Sequence, residues 1–299
     1  VTTFDLQRIA VLGSGIMGGG IAQVAALGGF AVKLYDVEAG LLGKNLDKIK
    51  ASIKKGVDLG KTDAAKGERA YGLLSTTTDL VAAVTDADFV IEAVPEKLDL
   101  KRKIFAECER VTRRDVVLAS NTSSLMISAI AEGVQDPTRV IGMHFFNPVP
   151  IMKLIEIVIG PKSSADALAR TEFVSQRMGK ETVRVKEAPG FATSRINALI
   201  GLEAFRMLEA GVATAEDIDK ALKLGLNHPM GPFEMADLVG LDTRLSTIKY
   251  LFSTLGETFR PSPTMERLVA EGRLGKKVGK GVYDYDAQGN RIPGSGPKV

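Results

Sequence analysis

The chain has one cysteine, two histidines and no tryptophan among its 299 residues. A lone cysteine, Cys108, excludes an intramolecular disulfide framework and a thiolate-based zinc site. It lies in a charged helical pattern, Lys101 to Arg110, and reads as structural, so no metal site is expected. Long apolar runs are also missing. No stretch of 18 apolar residues occurs, and no basic, then apolar, then small-residue leader opens the chain. A cytoplasmic protein, neither secreted nor membrane-spanning, is therefore expected. An excess of one charge sign is absent too: 39 Lys and Arg face 36 Asp and Glu, which gives no support to nucleic-acid binding. No repeat or low-complexity segment appears. The 45% hydrophobic and 25% charged content is that of an ordinary globular protein, and the length admits two domains.

The richest pattern lies at the start. Arg8-Ile9-Ala10-Val11-Leu12 reads as a buried strand, and Gly13-Ser14-Gly15-Ile16-Met17-Gly18 follows it directly. Ile21, Ala22, Val24, Ala25 and Leu27 continue at helical spacing, and a second strand, residues 31–35, ends on Asp36. Strand, glycine turn, helix and strand closed by an acid is the dinucleotide-binding pattern. Gly13 permits the tight turn, Gly15 the approach of a pyrophosphate, and Gly18 close helix–strand packing. The helix end offers free N–H groups to phosphates. Asp36 suits the two hydroxyls of a ribose and disfavours a 2′-phosphate, so NAD is expected over NADP. The plainer reading is a glycine turn in an ordinary βαβ unit with a solvated Asp36.

A helical pattern through Leu41, Leu42, Leu46, Ile49 and Ile53 carries Lys44, Lys48, Lys50, Lys54 and Lys55, with Lys61 just beyond. It is either a solvated face or a contact for an anionic substrate handle, with Ser52 as a polar partner. Further strands are expected at 88–94 and 116–119. The first ends near Glu96 and the second in Ser120-Asn121-Thr122-Ser123-Ser124. Ligands of open α/β sheets sit beyond the carboxyl ends of the strands, where Glu96 and this cluster fall. Lys101, one turn into the next helix, is expected to reach the same crevice. The serine cluster also suits an N-cap for a helix over 126–132.

Near the middle, residues 139–143 read as a strand leading into His144. Asn147-Pro148 turns the chain, and 153–159 reads as a returning strand with Glu156 between two isoleucines. An unpaired buried carboxylate is costly, and a histidine on the adjacent strand would relieve it. Such a pair fixes the imidazole tautomer and suits proton transfer to and from a hydroxyl. Glu156 on the solvent face of an edge strand, with His144 a satisfied core residue, is the competing arrangement.

Together these segments resemble the L-3-hydroxyacyl-CoA dehydrogenase family, most closely its bacterial 3-hydroxybutyryl-CoA dehydrogenases. The likeness runs through Val11–Gly18, Ser120–Leu125 and Gly142–Pro148, then Ala188–Phe191, Gly225–Glu234 and Gly275–Gly281. The resemblance implies reversible NAD-dependent oxidation of an (S)-3-hydroxyacyl-CoA, 3-hydroxybutyryl-CoA above all, in fatty-acid β-oxidation or butanoate metabolism. It implies His144 as general acid/base, oriented by Glu156, with Ser123 on the reacting oxygen near the nicotinamide. It implies Asn147 on the nicotinamide side, Glu96 and Lys101 along the cofactor groove, and Lys277 reaching toward the cofactor. Ser52 and Lys55 stand as contacts for the CoA handle. The family often has asparagine at the position of Ser194; here the shorter hydroxyl would keep part of that substrate contact. Two rivals remain: a dehydrogenase of a free hydroxy or sugar acid on the same scaffold, and a non-catalytic dinucleotide-binding sensor.

The second half reads as helical. Ala188-Pro189-Gly190 marks the boundary, so a Rossmann-type α/β domain over 1–188 and an all-α domain over 189–299 are expected. Residues 183–185 are expected as the last strand. The helix over 191–208 is apolar on most of its surface, which implies burial in its own domain or against another subunit; the resemblance implies a homodimer or larger assembly, with this domain as its interface. Thr214 with Asp217 marks a helix start. His228, in the loop Asn227–Pro232, reads as structural or exposed, and the tail after Tyr285 as disordered.

Overall fold

Runs of β-branched and aliphatic residues fix the first unit. Arg8–Leu12 (β1), Phe89–Glu92 (β4), Val117–Ser120 (β5) and Val140–Phe145 (β6) are buried along almost every residue. Strands covered by helices on both faces carry this near-continuous apolar pattern. The computed structural model describes residues 4–297, and its two compact units divide between Ala188 and Pro189.

The remaining strands of the first unit are Ala31–Tyr35 (β2), Leu74–Thr77 (β3), Leu154–Ile159 (β7) and Glu181–Lys186 (β8). They form one eight-stranded sheet in the order β3-β2-β1-β4-β5-β6-β7-β8. β1 to β6 run parallel, β7 pairs antiparallel with β6, and β8 follows β7 in parallel. Ile16–Leu27 (α1), Ala39–Asp58 (α2), Ala64–Gly72 (α3), Leu80–Val84 (α4), Leu98–Val111 (α5), Ile127–Ala131 (α6) and Ala165–Arg177 (α7) connect and cover it. The strand order reverses between β1 and β4, which opens the crevice where ligands of such sheets bind. At the other end of β1, Asp88 accepts from Gln7 N at 3.0 Å and Arg8 N at 2.9 Å and pairs with Arg8 and Arg113. Burial pushes its carboxyl up, but these bonds outweigh it and hold it at about 2. Cys108 is buried and free, its thiol pushed up to about 12 by burial.

The second unit is helical: Thr193–Glu209 (α8), Ala215–Gly225 (α9), Pro232–Val239 (α10), Leu241–Leu255 (α11) and Pro263–Ala270 (α12). Leu202, Phe205, Phe233, Ile248, Phe259 and Tyr283 centre its core. Thr214 caps α9 by accepting from Asp217 N. The tail after Tyr285 departs from its expected disorder, and buried acids fix the segment that leads into it. Asp237 accepts from Val282 N at 2.7 Å and Tyr283 N at 2.9 Å, and Tyr285 OH donates to the same carboxylate at 3.0 Å. Tyr283 OH donates to Asp219 at 2.8 Å, and Ile292 N to Asp284 O at 2.8 Å. Beyond Tyr285, Asp286 N donates to Asn290 O at 2.9 Å and Gly296 N to Glu216 Oε1 at 3.2 Å, bonding that a glycine-rich composition does not advertise. Among the described residues, no helix is long and apolar enough to cross a membrane.

Candidate active site

At the mouth of the crevice, three glycines do different work. Gly13 has φ +101°, and a Cβ there would lie 2.6 Å from Ala93 O. A Cβ on Gly18 would lie 1.8 Å from Gly13 O, whereas one on Gly15 would meet nothing within 4 Å. The first two are needed by the fold; the third leaves open space in front of α1. No side chain caps that helix and no acid lies in its first turn, so its first N–H groups have no side-chain acceptor, and Ile16 beside them is 81% exposed. This donor set fits a dinucleotide's phosphates. Beside it, Ser14 donates from both N and Oγ to Asp36 Oδ2 at 2.8 Å. Asn45 Nδ2, on α2, donates in turn to Ser14 Oγ at 3.1 Å. Burial raises the Asp36 carboxyl, but the Ser14 bonds outweigh it and hold the group below its usual range. An ionised, fixed Asp36 suits ribose hydroxyls and repels a 2′-phosphate. Sequence reasoning misses Asn45, because a contact from the second turn of α2 leaves no mark in spacing.

The serine cluster leaves β5 at the same edge. Glu96 Oε1 accepts from Thr122 Oγ1 at 2.5 Å, Ser123 N at 3.1 Å, Ser124 N at 3.2 Å and Ser124 Oγ at 3.0 Å. Thr122 Oγ1 accepts from Leu125 N at 2.9 Å, so the cluster caps its own turn. The expected cap on α6 is not made: its N-cap is Met126, without a side-chain bond. Ser123 itself is exposed. Lys101 does not reach the crevice. It is fully buried, with Nζ 2.7 Å from Glu92 Oε1 and 3.2 Å from Glu96 Oε2. Burial raises the Glu96 carboxyl, but the Lys101 charge and the turn's donors outweigh it, so it stays below its usual range. Asn121 ties this turn to the next strand: its N donates to Glu92 O at 2.7 Å and its Oδ1 accepts from Phe145 N at 2.9 Å.

One residue before Phe145, His144 stands opposite Glu156 in the β6–β7 register. Directly opposed residues share a face, and Nδ1 lies 2.8 Å from Glu156 Oε2. The imidazole is 9% exposed and the carboxylate not at all. With Nδ1 held, Nε2 is the nitrogen that can exchange a proton with a substrate. The Phe146 ring packs 4.6 Å from the imidazole, centre to centre. The chain then turns through exposed Asn147 and a cis bond to Pro148. Lys180 Nζ, just before β8, holds that turn by donating to Val149 O at 2.5 Å and Met152 O at 2.7 Å.

The other sequence-derived positions lie apart from this edge in the chain. Ser52 and Lys55 are exposed on one face of α2, three residues apart. Lys54 is occupied by Asp58 at 3.0 Å. In the second unit, Ser194 is half-buried in the first turn of α8, and Lys277 is exposed and paired with Asp242 at 2.7 Å. His228 is half-buried, and its N donates to Leu222 O at 3.1 Å. Among the described residues, no group of three or more His, Cys, Asp or Glu could hold a metal ion.

The family model described as 3-hydroxyacyl-CoA dehydrogenase, NAD binding domain, matches residues 8–188, and that of the C-terminal domain matches residues 190–285. A 3-hydroxybutyryl-CoA dehydrogenase of Mycobacterium tuberculosis is 44% identical over 94% of this chain and 99% of its own. A probable 3-hydroxybutyryl-CoA dehydrogenase of Bacillus subtilis is 41% identical over 94% of this chain and 98% of its own. The crystal structure of (S)-3-hydroxybutyryl-CoA dehydrogenase PaaH1 from Ralstonia eutropha superposes with a TM-score of 0.91, at 37% identity, over 94% of this chain and all of that one.

Proposed function

The chain belongs to the 3-hydroxyacyl-CoA dehydrogenase family and is an NAD-dependent oxidoreductase; from that premise we propose that it interconverts (S)-3-hydroxybutyryl-CoA and acetoacetyl-CoA. The observation that carries the proposal is the buried His144–Glu156 pair, at 2.8 Å, on β6 and β7 of the same sheet whose β1 leads into the dinucleotide cradle. Bound NAD supplies a two-electron hydride acceptor. His144 Nε2 takes the proton of the substrate hydroxyl as the hydride leaves carbon 3 and the carbonyl forms. Glu156 accepts the hydrogen bond of Nδ1–H, which leaves Nε2 as the nitrogen facing the substrate, and balances the charge that the ring acquires. Ser123, exposed on its turn, donates to the reacting oxygen. Asn147 would hold the nicotinamide side of the cofactor, and Glu96 would line the groove. Ser52 and Lys55 would take the anionic CoA handle; in the second unit, the resemblance assigns Ser194 to the substrate, with a hydroxyl in place of the usual amide, and Lys277 to the cofactor. In reduction the same groups run in reverse.

The same reading makes the protein a cytoplasmic homodimer in β-oxidation or butanoate metabolism. Ile196, Val212, Leu224 and Leu226 of the second unit, each more than half exposed, are the apolar surface a second copy would cover.

The test is NADH oxidation with acetoacetyl-CoA, comparing wild type with His144→Gln and with free acetoacetate as substrate. We expect rapid wild-type turnover on the thioester and a loss of roughly a thousandfold in His144→Gln, with NADH still bound. Equal rates on the free acid would favour the free-acid dehydrogenase. Cofactor binding without turnover on either would favour the sensor.

A further inference from the structure

Glu92 ends β4 with no exposed surface, and the chemistry described so far does not use it. Its Oε1 accepts from Lys101 Nζ and from Val94 N, each at 2.7 Å, and its Oε2 accepts from Ser120 Oγ at 2.6 Å. Lys101 Nζ is shared with Glu96 Oε2 at 3.2 Å. Glu96 Oε1 then gathers the Thr122, Ser123 and Ser124 donors. One ammonium thus stands between two carboxylates, one wholly buried and one at the crevice. Burying an ion pair that serves no one else is weak stabilisation, and neutral residues of similar volume often replace such a pair at little cost. The partner that gains from this pair is the Ser123 turn. Glu92 grips β5 through Ser120 and fixes Lys101; Lys101 orients Glu96; Glu96 sets the height and direction of the turn.

We propose that Glu92 is a positioning residue, which acts through Lys101 and Glu96 to hold Ser123 at the reacting oxygen. The catalytic part of this statement rests on the proposed dehydrogenase reading; the positioning part rests on the hydrogen bonds alone. The competing role for Lys101 is to neutralise Glu92 and nothing more.

The doubly substituted Glu92→Gln/Lys101→Met protein separates the two. It removes one charge of each sign, leaves the net charge unchanged and keeps both side chains near their original size. The neutralising role predicts that melting temperature, amide exchange and turnover all stay at wild-type values. The positioning role predicts a near-wild-type melting temperature but faster hydrogen exchange at the Ser123 and Ser124 amides, which donate to Glu96. It also predicts that kcat with acetoacetyl-CoA falls on the order of ten- to a hundredfold, with KM within about twofold. In a Ser123→Ala background the same two substitutions should cost little further kcat, because the path runs through that hydroxyl. Exchange at wild-type rates in the doubly substituted protein would overturn the proposal. Should that protein fail to fold, Ser120→Ala keeps both charges and frees Glu92 Oε2; faster exchange at the same amides is expected, and unchanged exchange would overturn it. A wild type inactive on acetoacetyl-CoA would sink the dehydrogenase reading and leave the exchange result to decide positioning.

Discussion

Glu156 has no exposed surface and sits between Ile155 and Ile157, both equally buried. A carboxylate there is tolerable only with a partner, since removing one member of a buried pair costs several kcal/mol. His144 is that partner, and the pairing depends on register. A slip of one residue between β6 and β7 would send the two side chains to opposite faces. Glu156→Gln tests what the charge adds. The amide oxygen still accepts from Nδ1, so the fold and the ring orientation should survive. The positive charge that the imidazole gains during oxidation then has no counter-charge in a dry setting. We expect kcat for 3-hydroxybutyryl-CoA oxidation to drop about a hundredfold, with NADH affinity retained in a fluorescence titration. Wild-type turnover in Glu156→Gln would reduce the carboxylate to a packing residue.

Where β1 hands over to α1, two glycines that look alike in sequence separate folding from binding. A Cβ on Gly18 would sit 1.8 Å from Gly13 O, while Gly15, with φ −58° and nothing within 4 Å, could carry one without strain. Gly18→Ala should therefore cost about 1–3 kcal/mol of stability and weaken NADH binding by displacing the loop. Gly15→Ala should leave the melting temperature unchanged yet weaken NADH binding at least tenfold, since its methyl fills the phosphate space. A Gly15→Ala protein with wild-type NADH affinity would remove the cradle from the binding site. This contrast shows what sequence can carry at the scale of elements. β1, β2, β4 to β7 and the glycine turn are legible, because buried parallel strands and a dinucleotide turn impose strong local patterns. β3 is not: Leu-Ser-Thr-Thr at the sheet edge is short, polar and half-exposed. α4, five residues long, is too short for a helical period to register, whereas the equally short α6, Ile127–Ala131, falls inside the helix expected over 126–132. Lys101 reads from sequence as a groove residue because lysines are seldom fully buried. Its partners lie nine and five positions upstream, across a strand end and a loop, where spacing along one helix gives no hint. The His144–Glu156 pairing is suggested by an acid between isoleucines, but its register cannot be counted from sequence.

Across the whole molecule, the two units hold buried carboxylates of opposite pH behaviour. In the first, Asp88 is held at about 2, below its ordinary 3.8, so its contribution is present above the ordinary value and is lost as pH falls toward 2. In the second, Asp219 accepts from Phe233 N at 2.8 Å, Glu234 N at 3.1 Å and Tyr283 OH at 2.8 Å. Burial outweighs these donors and raises it from 3.8 to about 6. The sign then reverses: the native state binds the extra proton, so the contribution is complete below the ordinary value and is lost as pH rises through 6. At pH 7 the ionised, buried Asp219 costs the second unit roughly 3 kcal/mol relative to the protonated state. Part of that, roughly 1 kcal/mol, should return between pH 7 and 5. Other acids titrate in the same interval, so the measurement is a difference. Hydrogen exchange of α10 and α11 segments is followed against pH in wild type and in Asp219→Asn. The substituted protein is less stable, because an amide cannot accept all three bonds, but its pH response should lack the Asp219 contribution. On acidification the wild-type segments should gain more protection than those of Asp219→Asn, and parallel curves would show that Asp219 titrates at its ordinary value.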